Sequence, residues 1–178
     1  MLNNIENING ILKLSFSPFY DLRGNLLKIY QKETFKNIFK DIEEIYISSS
    51  KKAVIRGLHF QIGKKAQDKY IYCISGALLD ISVDLRPDGN FGNICVEELK
   101  GGDPIILGIP GTFAHGVIIL EENTTFMNMS PTPYSPGDER GIRWDSLGIK
   151  IPFQHPIVSE KDNSLPPLDL VLKGLKNL

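Results

Sequence analysis

Short apolar segments recur along the chain at near-regular spacing, separated by turns rich in glycine and proline. The clearest is YIYCISGALLDISVDLR, Tyr70 to Arg86. After Gly76, Leu79, Ile81, Val83 and Leu85 alternate with Asp80, Ser82, Asp84 and Arg86, the period of a strand. Ser75 and Gly76 mark a turn or bulge between two strands. EEIYIS, KAVIRGLHF, NICVEEL, PIILGIP, AHGVIIL and TTFMNMS extend the series. One helix stands out: Phe35, Ile38, Phe39 and Ile42 in KETFKNIFKDIEE share one face. The tail SLPPLDLVLKGLKNL is broken by two prolines and closes on a segment that fits a short helix. No βαβ rhythm, repeat or low-complexity linker interrupts this order. The pattern predicts one all-β domain over residues 1–178, an antiparallel barrel or two-sheet jelly roll with a few short peripheral helices.

The alternation in the 79–86 strand leaves two arrangements open. Asp80, Ser82, Asp84 and Arg86 either line an interior site or face water on a half-exposed strand. The second is the commoner use of such a pattern.

Composition narrows the function. The 178 residues suffice for a large core without disulfides or structural metals. A net charge of −1 argues against a nucleic-acid partner held by bulk electrostatics, but leaves room for a local cationic pocket. No apolar run reaches the roughly 18 residues of a membrane span. The N-terminal MLNNIENING has no basic stretch followed by an apolar one, so secretion is not indicated. Cys73 and Cys95 lie in apolar runs and read as reduced residues of a cytoplasmic protein.

Three histidines are available. His59 in RGLHFQ and His115 in GTFAHGV sit in strand-like segments beside glycine, where backbone can approach a ligand closely. His155, next to proline, reads as a loop residue. There is no HxH pair, and neither cysteine has a histidine or cysteine nearby, so no metal and no cofactor is expected. A phosphate loop, a GxGxxG opening a helix and a GxSxG nucleophile are likewise missing from the sequence. What remains is a set suited to proton transfer in a β pocket: histidines, a lysine and carboxylates, with arginines for an anionic substrate.

These residues fall into a recognisable order. YDLRGNLLKIY, VIRGLHFQ, AQDKYIYCISGALLDISVDLR, GIPGTFAHGV, YSPGDERGIRWDSLGIKIP and IVSEKD resemble, in sequence and spacing, six segments of the dTDP-4-dehydrorhamnose 3,5-epimerases and their relatives acting on nucleotide-linked 4-keto sugars. The resemblance covers nearly the whole chain. It implies a metal-free cupin-type jelly roll and a homodimer whose N-terminal strands cross to the partner. It also implies epimerisation next to a ketone, in deoxysugar supply for a bacterial surface polysaccharide or a secondary metabolite.

The resemblance further assigns residues. A carbonyl acidifies the adjacent C–H, and His59 matches the base that removes that proton, oriented by Asp162. Lys69 matches the cation that stabilises the enolate oxygen. Arg23, from the partner subunit, and Arg56 match the residues that hold the diphosphate. Tyr134 and Trp144 match positions near the nucleotide base. Gln61, His115 and Asp84 match further polar pocket positions.

Four positions depart from the family pattern. Asn128, in FMNM, falls on the tyrosine that returns a proton to the opposite face, and an amide is no comparable acid. Lys28 falls on a glutamate, and Glu44 and Tyr46 fall on a glutamine and an asparagine. Three outcomes follow. The chain epimerises only one of C3 and C5, or uses another nucleotide, with water, Tyr46 or Tyr134 returning the proton. Alternatively, it is a full 3,5-epimerase whose acid lies elsewhere. In the third, it binds or otherwise modifies a nucleotide sugar without epimerising it.

Overall fold

A computed structural model of the chain describes residues 1–36, 38, 40–87 and 90–176. Two antiparallel sheets face each other. The first has the strand order β1 (Leu2–Ile8), β2 (Ile11–Phe16), β10 (Ile105–Ile109), β7 (Lys69–Ser75), β12 (Thr124–Ser130), β5 (Glu44–Ser50). The second runs β13 (Glu139–Gly141), β6 (Val54–Gln61), β11 (Phe113–Ile119), β8 (Ala77–Asp84), β9 (Ile94–Lys100), and β14 (Ile157–Val158) adds to β6 in parallel. This is the expected cupin-type jelly roll, as two facing sheets rather than a closed barrel. Residues 19–26, in the segment that carries Arg23, form a separate hairpin of β3 (Phe19–Asp21) and β4 (Gly24–Leu26).

The apolar residues form three clusters, one between the sheets and one outside each. Ile71, Cys73, Leu78, Leu107, Phe113, Val117 and Phe126 meet in the middle. Outside the second sheet, Ile55, Leu58, Ile81, Val83 and Ile118 are covered by the C-terminal segment through Trp144, Leu168, Val171 and Leu175. The last three sit on α3 (Leu168–Lys176), the expected terminal helix. That cover takes the apolar face of the 79–86 strand, and its polar face turns inward, between the sheets. Both faces of β8 are buried, and Asp80, Ser82 and Asp84 are 2%, 1% and 2% exposed. The commoner solvated arrangement is therefore overturned for these three residues. A strand's alternation cannot reveal that a later segment will cover its other face.

The long helix expected over 32–44 contracts to α1 (Lys32–Phe35). Phe35 is buried, stacked on Tyr30 at 5.7 Å, and Ile38 and Ile42 join it on the outer face of the first sheet. Phe39 lies outside the described residues. Gln31 provides no side-chain cap, and so short a segment has little helical stability of its own. Packing onto the sheet dominates instead. Gly76 makes the turn between β7 and β8 at φ +76°, where a Cβ would lie 2.8 Å from Thr124 Cα.

Candidate active site

β6 carries the sequence VIRGLHFQ, with Arg56 and His59 three residues apart. In a regular strand such residues point to opposite faces. Here the pairing with β11 slips: His115 faces His59 and Val117 faces Arg56, so three steps on β6 match two on β11. The extra residue is a β-bulge at Gly57, whose φ is +99°. The bulge re-phases the strand, and both Arg56 and His59 open onto one cavity of about 560 Å³ between the sheets.

Close packing and a positive φ require glycine at position 57. A Cβ there would lie 2.7 Å from the His115 carbonyl oxygen and 2.9 Å from Gly116 Cα. Its N–H also donates to Asp162 Oδ2 at 2.9 Å. Close approach is thus to the neighbouring strand, and the freed amide becomes part of the site.

Asp162 reaches this place through β14. Pairing of Ile157 with Val54 brings the chain alongside β6, and the short helix α2 (Glu160–Asn163) follows at once. Ser159 caps that helix by accepting the Asp162 N–H at 3.1 Å. The Asp162 carboxylate is 2.8 Å from His59 Nε2 and is almost fully buried. Burial pushes this carboxyl up, but hydrogen bonds from His59 and the Gly57 amide outweigh it and hold the group below its ordinary value. With Nε2–H donating to Asp162, Nδ1 carries the lone pair of a neutral His59.

Lys69 opens β7 on the opposite wall. Its ammonium makes no hydrogen bond or ion pair among the described residues. Burial lowers its pKa to about 8, with Glu139, Asp80 and Glu44 pulling the other way. Such a group is a cation waiting for a developing negative charge. His115, beside His59 on β11, is bound at Nε2 to the buried Asp80 Oδ2 at 2.7 Å. Asn128 on β12 and Tyr46 on β5 also line the wall that faces His59.

Six of the residues expected at a site therefore share one cavity: His59, Asp162, Lys69, Arg56, His115 and Asn128. The other five lie outside it in the single chain. Gln61 is buried and bonded to Lys65 O and Ser135 N–H, at 2.6 and 2.7 Å. Asp84 binds Arg86 Nε at 2.9 Å. Trp144 packs in the outer cluster of the second sheet. Tyr134 is half exposed and donates to Glu139 Oε2 at 2.8 Å. Arg23 stands exposed on the β3–β4 turn, paired with Asp21.

Of the departing positions, Lys28 is exposed and does not line the cavity. Glu44 accepts from Gln67 and from the Tyr134 amide, holding the 132–134 loop.

One member of the site escaped the sequence. Glu139 Oε1 lies 3.7 Å from His59 Nδ1, and Oε2 takes bonds from Tyr134 and Lys161. Burial pushes the Glu139 carboxyl up, and the bonds from Lys161 and Tyr134 bring it below its ordinary value. Only the pairing of Gly141 with His59 brings this carboxylate to the histidine, and DERG in isolation gives no sign of it. Among the described residues no three histidine, cysteine or acidic groups gather as a metal site, and no helix is long and apolar enough to cross a membrane.

Comparison with known proteins agrees with this architecture. The family model described as dTDP-4-dehydrorhamnose 3,5-epimerase matches residues 6–169. The dTDP-4-dehydrorhamnose 3,5-epimerase of Salmonella typhimurium is 36% identical over 173 residues, covering 93% of this chain and 94% of that protein. A crystal structure of the enzyme of that name from Sulfolobus tokodaii superposes with a TM-score of 0.87 at 34% identity, covering 93% of this chain and 95% of the other. The Bacillus anthracis counterpart, solved with TDP and PPi bound, gives 0.88 at 32% identity, with 93% and 99% covered.

Proposed function

The chain belongs to the dTDP-4-dehydrorhamnose 3,5-epimerase family of isomerases, and from that premise we propose that it inverts a carbon next to the ketone of a nucleotide diphosphate-linked 4-keto-6-deoxy sugar. One observation carries this reading: the His59–Asp162 pair on one wall of the cavity faces the unpaired Lys69 on the other.

The chemistry follows from that arrangement. Asp162 accepts the Nε2 proton and fixes the tautomer, so His59 meets the substrate with a lone pair on Nδ1. His59 takes the proton from the carbon beside the ketone. Negative charge moves to the ketone oxygen, where Lys69 stabilises it. Return of a proton from the opposite side inverts the carbon. Arg56 donates Nε–H to Ser50 at 3.0 Å and keeps its terminal nitrogens for the diphosphate. Binding of TDP and PPi by the Bacillus anthracis relative supports a nucleotide diphosphate as the substrate's handle.

We extend the reading to a homodimer. Phe19, Tyr20, Leu22 and Leu26 of the β3–β4 hairpin are 66%, 70%, 107% and 56% exposed, an apolar arm uncovered in one chain. Carried across to a second copy, it brings Arg23 to the partner's cavity, with the half-exposed Tyr134 toward the nucleotide end. A cytoplasmic setting suits the two free cysteines.

One observation favours a second reading. Asn128, on the wall facing His59, is no competent acid, so a chain lacking any other acid there would exchange protons without inverting carbon. The test is to incubate the protein with dTDP-, UDP-, GDP- and CDP-linked 4-keto-6-deoxy sugars and identify the sugar by NMR after reduction. Inversion at C3 or C5 with one of them is expected. Deuterium uptake from deuterated water without inversion would favour the second reading, and nucleotide-dependent thermal stabilisation with neither uptake nor inversion would replace the epimerase by a binding protein.

A further inference from the structure

Inversion needs a proton donor on the side of the substrate away from His59. The epimerase reading, on which this inference rests, thus sets a requirement for the wall formed by the first sheet. That wall offers Tyr46, Ser48, Lys69, Phe126 and Asn128 to the cavity. Phe126 has no exchangeable proton, and the Asn128 amide is far too weak an acid. An alcohol such as Ser48 is a far weaker acid than a phenol. Lys69 is committed to the enolate oxygen. The register of β5 on β12 sets Tyr46 directly opposite Asn128, so their side chains share the inward face as cross-strand neighbours. The adjacent Ile45 and Ile47 point outward, 59% and 61% exposed.

We infer that Tyr46 is the acid of this enzyme, delivering its phenolic proton to the carbon on the face opposite His59, with Asn128 beside it as a hydrogen-bond donor to the phenolate. The step balances. His59 takes one proton from carbon, and the electron pair moves to the ketone oxygen. As the pair returns to carbon, that carbon takes the proton of Tyr46, leaving a phenolate. The imidazolium then gives its proton to water, and the phenolate recovers one. Tyr46 keeps 41% of its surface exposed, which gives water access for that recovery.

The surroundings of Tyr46 fit a donor. Desolvation pushes its phenol up to about 12, with Glu44 adding to the rise and Arg56 opposing it. It is therefore protonated at neutral pH, yet still far more acidic than a carbon beside a ketone. Tyr134, the other tyrosine considered from the sequence, is unsuited. Its hydroxyl is already given to Glu139, on the His59 side of the cavity.

The experiment compares wild type with Tyr46→Phe in deuterated water, using the nucleotide sugar that wild type turns over. Deuterium uptake and inverted product are measured separately by NMR, and the melting temperature is measured alongside. Tyr46→Phe should melt as wild type does and still take up deuterium, because His59 remains. Its inversion rate should drop by about 10²-fold or more, the usual worth of a positioned acid. Tyr46→Asn combined with Asn128→Tyr, which moves the phenol across the strand pair, should recover part of the inversion. Inversion by Tyr46→Phe at the wild-type rate would overturn the inference and leave the epimerase reading intact. Parallel loss of uptake and inversion would assign Tyr46 to binding and also overturn it. Absence of uptake by wild type with every sugar tested would overturn the epimerase reading, and this inference with it.

Discussion

Arg56 and His59 stand three residues apart on one strand and face the same cavity, because the bulge at Gly57 re-phases β6 between them. The site depends on that single extra residue. Gly57→Ala puts a Cβ against the His115 carbonyl and a side chain at φ +99°. A loss of about 1–3 kcal/mol is expected from the backbone conformation alone, read as a lowered denaturation midpoint in urea. Turnover should fall as well, since a shift of the backbone at position 57 displaces the amide that holds Asp162.

Lys69 links activity to stability with opposite signs. Its folded-state pKa of about 8 lies below the ordinary 10.5. Between those values the unfolded chain binds more protons than the folded one, so this group makes stability rise with pH across the window. Below about pH 8 the cost of burying the charge is fully present. Lys69→Met should therefore raise the melting temperature at neutral pH and remove the rise between about pH 8 and 10.5. The same variant should lose about 10²–10³-fold in turnover, the scale of one lost transition-state donor. In wild type, kcat/KM should decline as pH passes about 8 and the free enzyme loses this cation.

The carboxylates beside His59 act at the acid end. Glu139 and Asp162 are both held below their ordinary values of 4.5 and 3.8. Each contributes stability that is present above the unfolded value and lost as pH falls through the lowered one. Thermal melts at pH 7 and pH 3 should thus differ less for Glu139→Gln than for wild type. An unchanged difference would mean that the Lys161 and Tyr134 bonds to Glu139 do not persist in solution.

The proposed dimer makes a complementation experiment decisive. If Arg23 serves the partner's cavity, Arg23→Ala and His59→Ala remove parts of different sites in a mixed dimer. Random mixing after refolding should restore about one quarter of wild-type turnover, because half the dimers keep one intact site. No recovery would place Arg23 and His59 in the same chain's site, and an Arg23→Ala homodimer as active as wild type would show that Arg23 is dispensable.

The sequence carried the run of strands from residue 44 to 130 well, because alternation and turn residues are local signals, but not β1, β2 or the order within the sheets. It carried less of what depends on other segments. The burial of Asp80, Ser82 and Asp84 needs the first sheet packed over their face of β8, while the segment 142–175 covers Ile81 and Val83 on the other face. The common direction of Arg56 and His59 needs a bulge that no period reveals. The helix expected from Phe35, Ile38 and Ile42 mistook a surface strap for a helix, since residues buried on a sheet can mimic helical spacing. The opposition of Tyr46 and Asn128 is a fact of register, visible only once β5 and β12 are paired. The family motifs pointed to His59, Lys69 and Asp162, whereas Glu139 had to be found in space.

Deuterium incorporation beside the ketone, followed by NMR for wild type and His59→Ala, tests the central claim most directly. Wild type should label C3 or C5 of a nucleotide 4-keto-6-deoxy sugar, and His59→Ala, still folded, should label neither above the uncatalysed rate. Labelling by His59→Ala at the wild-type rate would contradict it.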